Sequence, residues 1–210
     1  MRELRVNPER LAARIEELGR IGRNAEGGMD RTTFTPAELQ ARDWLKERLR
    51  ELGLAVRVDE AANIWARREG RQGEGNGRYE GKGEGESEGR DDGEGSGGGN
   101  GAEEKLSVIA FGSHVDSVPN GGIYDGALGV LLALEVMQVL AENGVATRHP
   151  FELVSFSAEE PNPFGLSTFG SRTVTGKLRR EHLDGVRDDK GTLLVDALRS
   201  AGGDPDRFEE

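Results

Sequence analysis

The chain has 210 residues, 34% of them hydrophobic, which is enough for one large domain or part of one. A net charge of −11 and a pI near 4.9 argue against nucleic acid or an acidic membrane surface as a partner. Cysteine is absent, which excludes a disulfide framework and a thiolate metal site.

No apolar stretch reaches the length of a transmembrane helix, and Met1 to Pro8 lacks the apolar core of a signal peptide, so the expected location is cytoplasmic. Residues 8–22 read as a helix capped by Asn7, with Pro8 at its first position and Leu11, Ile15 and Leu18 on one face. A loop from Gly22 to Thr33 follows. Thr35-Pro36-Ala37-Glu38 is a capping box that opens a second helix through Leu52, its buried side expected at Leu39, Trp44, Leu45 and Leu49. Gly53 ends that helix, and Leu54–Val58 and Ile64–Arg67 read as short strands about a turn at 61–63.

Residues 70–104 are glycine, acid and a little arginine, with Tyr79 the one sizeable apolar side chain. Such a stretch cannot bury enough surface to offset chain ordering, so it is expected to be a disordered, solvated insertion in a loop between two strands. A calcium-binding repeat is excluded because the nonapeptide period is missing. Gly93-x-Gly95-x-x-Gly98 matches a dinucleotide pattern by composition alone, with no strand before it.

Val108 to Phe111 looks like a buried strand, and its carboxyl end delivers His114 and Asp116, two residues apart and so on one side of an extended chain. Asp125 follows across a Pro-Asn-Gly-Gly turn. Ala127–Glu142 is a strongly patterned helix that crosses to a second apolar run, Phe151–Phe156, and just past that run stand Glu159 and Glu160. One imidazole and four carboxylates thus reach the ends of two strands, where open α/β sheets place their sites. A lone His-x-Asp is common by chance and paired glutamates usually mark a solvated helix start; their joint placement after two strands is what points to chemistry.

That chemistry is divalent-metal hydrolysis. Imidazole and carboxylate oxygens suit zinc or manganese, with His114 as a ligand and Asp116 behind it accepting the other ring N–H. Asp125 is placed to bridge two ions, and of Glu159 and Glu160 one can bind metal while the other handles the proton of the attacking water. His149 and His182 read as surface histidines. Thr192 to Ala201 reads as a last amphipathic helix, broken by Asp204-Pro205-Asp206.

Gly112-Ser113-His114-Val115-Asp116-Ser117-Val118-Pro119-Asn120-Gly121-Gly122, then Asp125-Gly126-Ala127-Leu128-Gly129-Val130, resembles the first metal motif of the aminoacylase/carboxypeptidase family of dinuclear zinc hydrolases. Within it the phrasing is similar to the branch of allantoate amidohydrolase, N-carbamoyl-L-amino-acid hydrolase and ureidoglycolate hydrolase, and Phe169-Gly170-Ser171-Arg172 fits the same branch. The Gly-Gly-x-x-Arg pattern at Gly27 to Arg31 resembles the family's substrate-side loop. The resemblance implies an α/β three-layer sandwich about a central mixed sheet and two divalent ions, Zn2+ or Mn2+. It gives His114, Asp125 and Glu160 as metal ligands, Glu159 as general base and a cis peptide between Asp125 and Gly126. Its substrate class is a ureido or carbamoyl acid hydrolysed at a linear C–N bond.

The family's remaining histidine ligands, and the lid domain through which its members form homodimers, lie further along than Glu210. Residues 1–210 therefore resemble the N-terminal part of a catalytic domain that lacks the lid. Three readings stay open at this point: an amidohydrolase, with dipeptidase or aminoacylase specificity as its variant; a catalytically incomplete truncation; and an interaction module organised by the acidic loop.

Overall fold

The computed structural model describes residues 3–71 and 106–208. The reading of 70–104 as a disordered insertion therefore falls almost wholly outside the described residues.

Helix α1 spans Pro8–Leu18, and the Asn7 side chain accepts from the Arg10 amide at 2.9 Å as its cap. It stops short of residue 22 because Gly19 follows and the chain tightens into turns, with Arg20 N–H on Glu17 O and Ile21 N–H on Leu18 O. Helix α2 spans Pro36–Glu51; Thr35 Oγ1 accepts from Glu38 N–H at 3.4 Å, and the Glu38 carboxylate accepts from Phe34 N–H at 3.2 Å. Strands β1 (Ala55–Val58) and β2 (Ile64–Arg68) form an antiparallel hairpin. Its turn is held by the Asp59 carboxylate, which accepts from Asn63 N–H at 2.7 Å and Trp65 Nε1 at 2.7 Å. Strand β3 (Ile109–His114), helix α3 (Ala127–Glu142) and strand β4 (Phe151–Phe156) make a parallel strand–helix–strand unit.

The result is the expected α/β fold with a mixed sheet, four strands in the order β1-β2-β4-β3, with β4 antiparallel to β2 and parallel to β3. Paired residues share a face, so Val56, Ala66, Leu153 and Phe111 form one row across the sheet. Helices α1, α2 and α3 pack on that row through Leu18, Leu45, Leu49, Leu131, Leu134 and Met137, all at most 1% exposed. Burial of each such side chain stabilises by roughly 1.5–3 kcal/mol. α1 is also tied to α3 by charge: the buried Glu135 carboxylate accepts from Arg10 at 2.7 and 2.8 Å and from the Asn7 amide at 2.8 Å. A second core gathers beyond β4, where α4 (Phe169–Val174) and α5 (Leu194–Ser200) place Phe169, Leu194 and Leu198 against Leu178, Leu183 and Phe208. Asp204-Pro205-Asp206 does follow α5 as a break, and it winds into a single 3-10 turn at Pro205–Arg207.

One expectation about the strands fails. The run Val108–Phe111 is not a buried strand: Val108 and Ile109 are exposed, at 38% and 47%. Among the described residues strand β3 is the margin of the sheet, with β4 as its neighbour, and there its first half is exposed and burial begins at His114. Among the described residues no helix is long and apolar enough to cross a membrane.

Candidate metal centre

Because β3 and β4 run parallel and His114 is paired with Phe156, both chains leave the sheet at the same end. After β3 come Val115, Asp116 and Ser117, all buried; after β4 come Ser157, Ala158 and then the glutamate pair, half-buried. The His114 ring sits 6% exposed, with Nδ1 3.0 Å from the Asp116 carbonyl and 3.3 Å from Asp116 Oδ1. Two acceptors on that side place the ring proton on Nδ1 and leave the Nε2 lone pair facing the opposite way, 3.4 Å from Glu159 Oε2. Burial disfavours the imidazolium, but the Asp116 carboxylate and, behind it, Glu159 outweigh that and hold the His114 pKa above its ordinary value. Burial likewise works against the Asp116 charge, and His114, the Glu160 amide and Thr33 together keep its carboxyl below the usual range.

His114, Asp125 and Glu160 each offer one ligand atom, and these lie within 4.8 Å of one another. Among the described residues no other group of three such side chains is drawn together in this way. Burial first, and then the Asp125 carboxylate beside it, push the Glu160 pKa up. Two carboxylates held against each other with an imidazole lone pair turned inward form a donor set that a divalent cation satisfies, and its charge relieves the repulsion between them. The residues present thus fit a divalent cation.

Asp125 reaches this place through the turn that opens α3. The Ala127 amide bonds the Asp125 carbonyl at 2.6 Å, a three-residue γ-turn with Gly126 at its centre, φ 63° and ψ −53°. A Cβ at Gly126 would fall inside the van der Waals surface of the His114 ring. The expected cis peptide between Asp125 and Gly126 is not there: the described chain has no cis bonds. The positive φ of glycine makes the reversal instead, at far lower cost than a cis bond between such residues, and Asp125 still converges with His114.

The arginine of the Gly27–Arg31 loop has a structural role. Arg31 is 1% exposed, and its guanidinium donates to Val115 O at 2.7 Å, Leu18 O at 2.8 Å and Ile21 O at 3.1 Å, which locks the end of α1 to the chain leaving β3. His149 lies against Ser107 O and His182 accepts from the Arg179 amide, both away from the three-residue cluster. One contributor to the site carries no motif signal. Thr33 Oγ1 donates to Asp116 Oδ2 at 2.9 Å, beside the Glu160 amide, which donates to the same oxygen at 3.1 Å.

The family model of peptidase family M28 matches residues 98–202, half of the chain. The chain belongs to peptidase family M28. This M28 chain is 37% identical over 205 residues to an N-carbamoyl-L-amino acid amidohydrolase of Geobacillus stearothermophilus, covering 98% of itself and 42% of that protein. It is 30% identical over 188 residues to the allantoate amidohydrolase of Bacillus subtilis, covering 90% of itself and 38% of that protein. Among solved structures, a hydantoinase/carbamoylase family amidase from Burkholderia ambifaria matches with a TM-score of 0.76 at 30% identity, over 95% of this chain and 42% of that one. These are proteins of the branch that the motif over 112–130 resembles. The M28 chain spans about two fifths of the length of the curated relatives it matches.

Proposed function

We propose that this chain carries the metal-binding and proton-transfer residues of an amidohydrolase that cleaves a linear, non-peptide C–N bond of a carbamoyl or ureido acid. The convergence of His114, Asp125 and Glu160 beside Glu159 is the observation that carries this reading, and the names of the relatives supply the substrate class. In it His114, Asp125 and Glu160 would hold divalent metal, Asp125 would be the ligand shared if two ions bind, and zinc or manganese fits the oxygen and imidazole donors. A divalent ion bound there supplies positive charge that polarises the substrate carbonyl and makes a water easier to deprotonate.

The protein's own residues do the rest. Asp116 keeps the His114 proton on Nδ1. Glu159, 3.4 Å from His114 Nε2, takes the proton of the attacking water and passes it to the leaving nitrogen. The trans Asp125–Gly126 turn holds the Asp125 carboxylate at the mouth, where it is exposed to an incoming substrate. A cytoplasmic location belongs to the same proposal, as does the homodimer that the resemblance implies for the longer relatives, which light scattering on a chain with the lid domain tests.

The test is bound metal and ammonia release on the purified chain, with allantoate and N-carbamoyl amino acids as substrates and dipeptides beside them. Zinc uptake that His114→Ala abolishes supports the centre; uptake that the substitution leaves unchanged overturns it. The family's peptidase designation favours one second reading, peptide or aminoacyl substrates, and cleavage confined to the dipeptides would select it.

A further inference from the structure

Residues 29–33 run alongside the chain that leaves β3 and are joined to it at three levels. Met29 and Gly121 exchange two backbone hydrogen bonds, at 2.9 and 3.0 Å. Ser117 N–H donates to Arg31 O at 3.0 Å, while Arg31 N–H donates to Ser117 Oγ at 3.1 Å. At the third level Thr33 Oγ1 donates to Asp116 Oδ2 at 2.9 Å. The first two levels fix backbone. The third alone reaches a side chain that touches His114.

Thr33 and Asp116 are 4% and 1% exposed, so water does not compete for this bond. Asp116 Oδ2 accepts from Thr33 and from the Glu160 amide, and the other oxygen, Oδ1, is buried and lies 3.3 Å from His114 Nδ1. The torsion that turns a carboxylate plane is broad and roughly two-fold, so donors rather than rotamer preference must set it. With both donors on Oδ2, the plane is fixed and Oδ1 is aimed at the ring.

We propose that Thr33 is a positioning residue of the metal centre, acting through Asp116 on both the His114 ring and the start of Glu160. The inference rests on the reading of His114 and Glu160 as ligands. Hydrogen bonds behind metal ligands typically contribute 10- to 100-fold in affinity. Removing the hydroxyl also leaves a methyl against a buried carboxylate oxygen.

Zinc titration calorimetry on the full chain tests it. Thr33→Val should weaken the zinc dissociation constant about tenfold or more, and Thr33→Ser, which restores the donor, should return it to within about threefold of the parent. If Thr33→Val does not fold, Thr33→Ala removes the same hydroxyl without the added methyl contact and carries the same expectation. Combined with Asp116→Asn, Thr33→Val should add little further loss, because both act on one group. Zinc affinity unchanged in Thr33→Val, failure of serine to restore it, or full additivity with Asp116→Asn overturns the role of Thr33. If His114→Ala also leaves zinc binding unchanged, the centre itself is what has failed.

Discussion

Replacing Gly126 with alanine tests the geometry of the site most directly. The backbone there, φ 63° and ψ −53°, is a conformation that a residue with a Cβ adopts at a cost of about 1–3 kcal/mol. The new methyl also meets the His114 ring, and relieving that contact by displacing the ring or the turn adds about 1–3 kcal/mol. The expected loss is therefore about 2–6 kcal/mol, read from urea unfolding of the metal-free protein. Because the ring that must move carries the proposed ligand nitrogen, zinc affinity should fall with it, by about tenfold or more. Gly122→Ala is the control: in the same loop, a Cβ there meets nothing within 4 Å and φ is not positive, so it should change stability by less than about 0.5 kcal/mol. Parent-like stability and zinc binding in Gly126→Ala would show that the γ-turn relaxes freely and that the close approach to His114 does not matter.

Zinc binding should also be proton-linked. Asp116 and Glu159 raise the His114 pKa, so protons compete for the ring and affinity should fall as pH drops through that raised value, by up to about tenfold per unit; calorimetry across pH checks it, and a flat profile counts against His114 as a ligand. Glu38, buried at the start of α2, has its pKa pushed up by desolvation from 4.5 to about 7, with Arg42 3.4 Å away working in the opposite direction. A raised folded-state pKa gives stability that is full below about pH 4.5 and is lost as pH rises through about 7, a drop of about 3 kcal/mol. Urea unfolding should show Glu38→Gln flattening that part of the pH curve relative to the parent. Glu159→Gln should spare zinc uptake and remove ammonia release wherever the parent shows it; retained turnover would reassign the base.

What could be read from residues alone follows physical lines. Helix α3 and strand β4 match their expected bounds, because a sixteen-residue apolar pattern and a bounded apolar run each have one good solution. Strand β3 did not, since Gly112-Ser113 looks like its end while pairing with β4 carries it on to His114, and nothing in an apolar tetrapeptide tells a margin strand from a central one. Helix α4, Phe169–Val174, escaped notice because it is six residues of weak helix formers held by the burial of Phe169. At the candidate site, His114, Asp116, Asp125, Glu159 and Glu160 could be singled out from their position after two strands, and the structure draws His114, Asp125 and Glu160 together. Thr33 was not: one hydroxyl in a loop, meeting Asp116 across more than eighty residues, leaves no pattern. The structural role of Arg31 was not legible either, since the carbonyls that claim its guanidinium come from the end of α1 and from the chain after β3.

Among the described residues the two margins of the sheet are chemically unequal. Strand β1 is four residues long and carries Arg57 in its middle, whereas β3 has six residues and no charge from Ile109 through Ser113. Short, charged edges resist the addition of another strand, and longer uncharged ones invite it. At neutral pH a net charge of −11 keeps copies of the chain apart; near pH 4.9 that repulsion vanishes. Precipitation on acidification should therefore begin along β3, and a lysine at Ile109, facing solvent already, should keep the protein in solution over a wider range of pH.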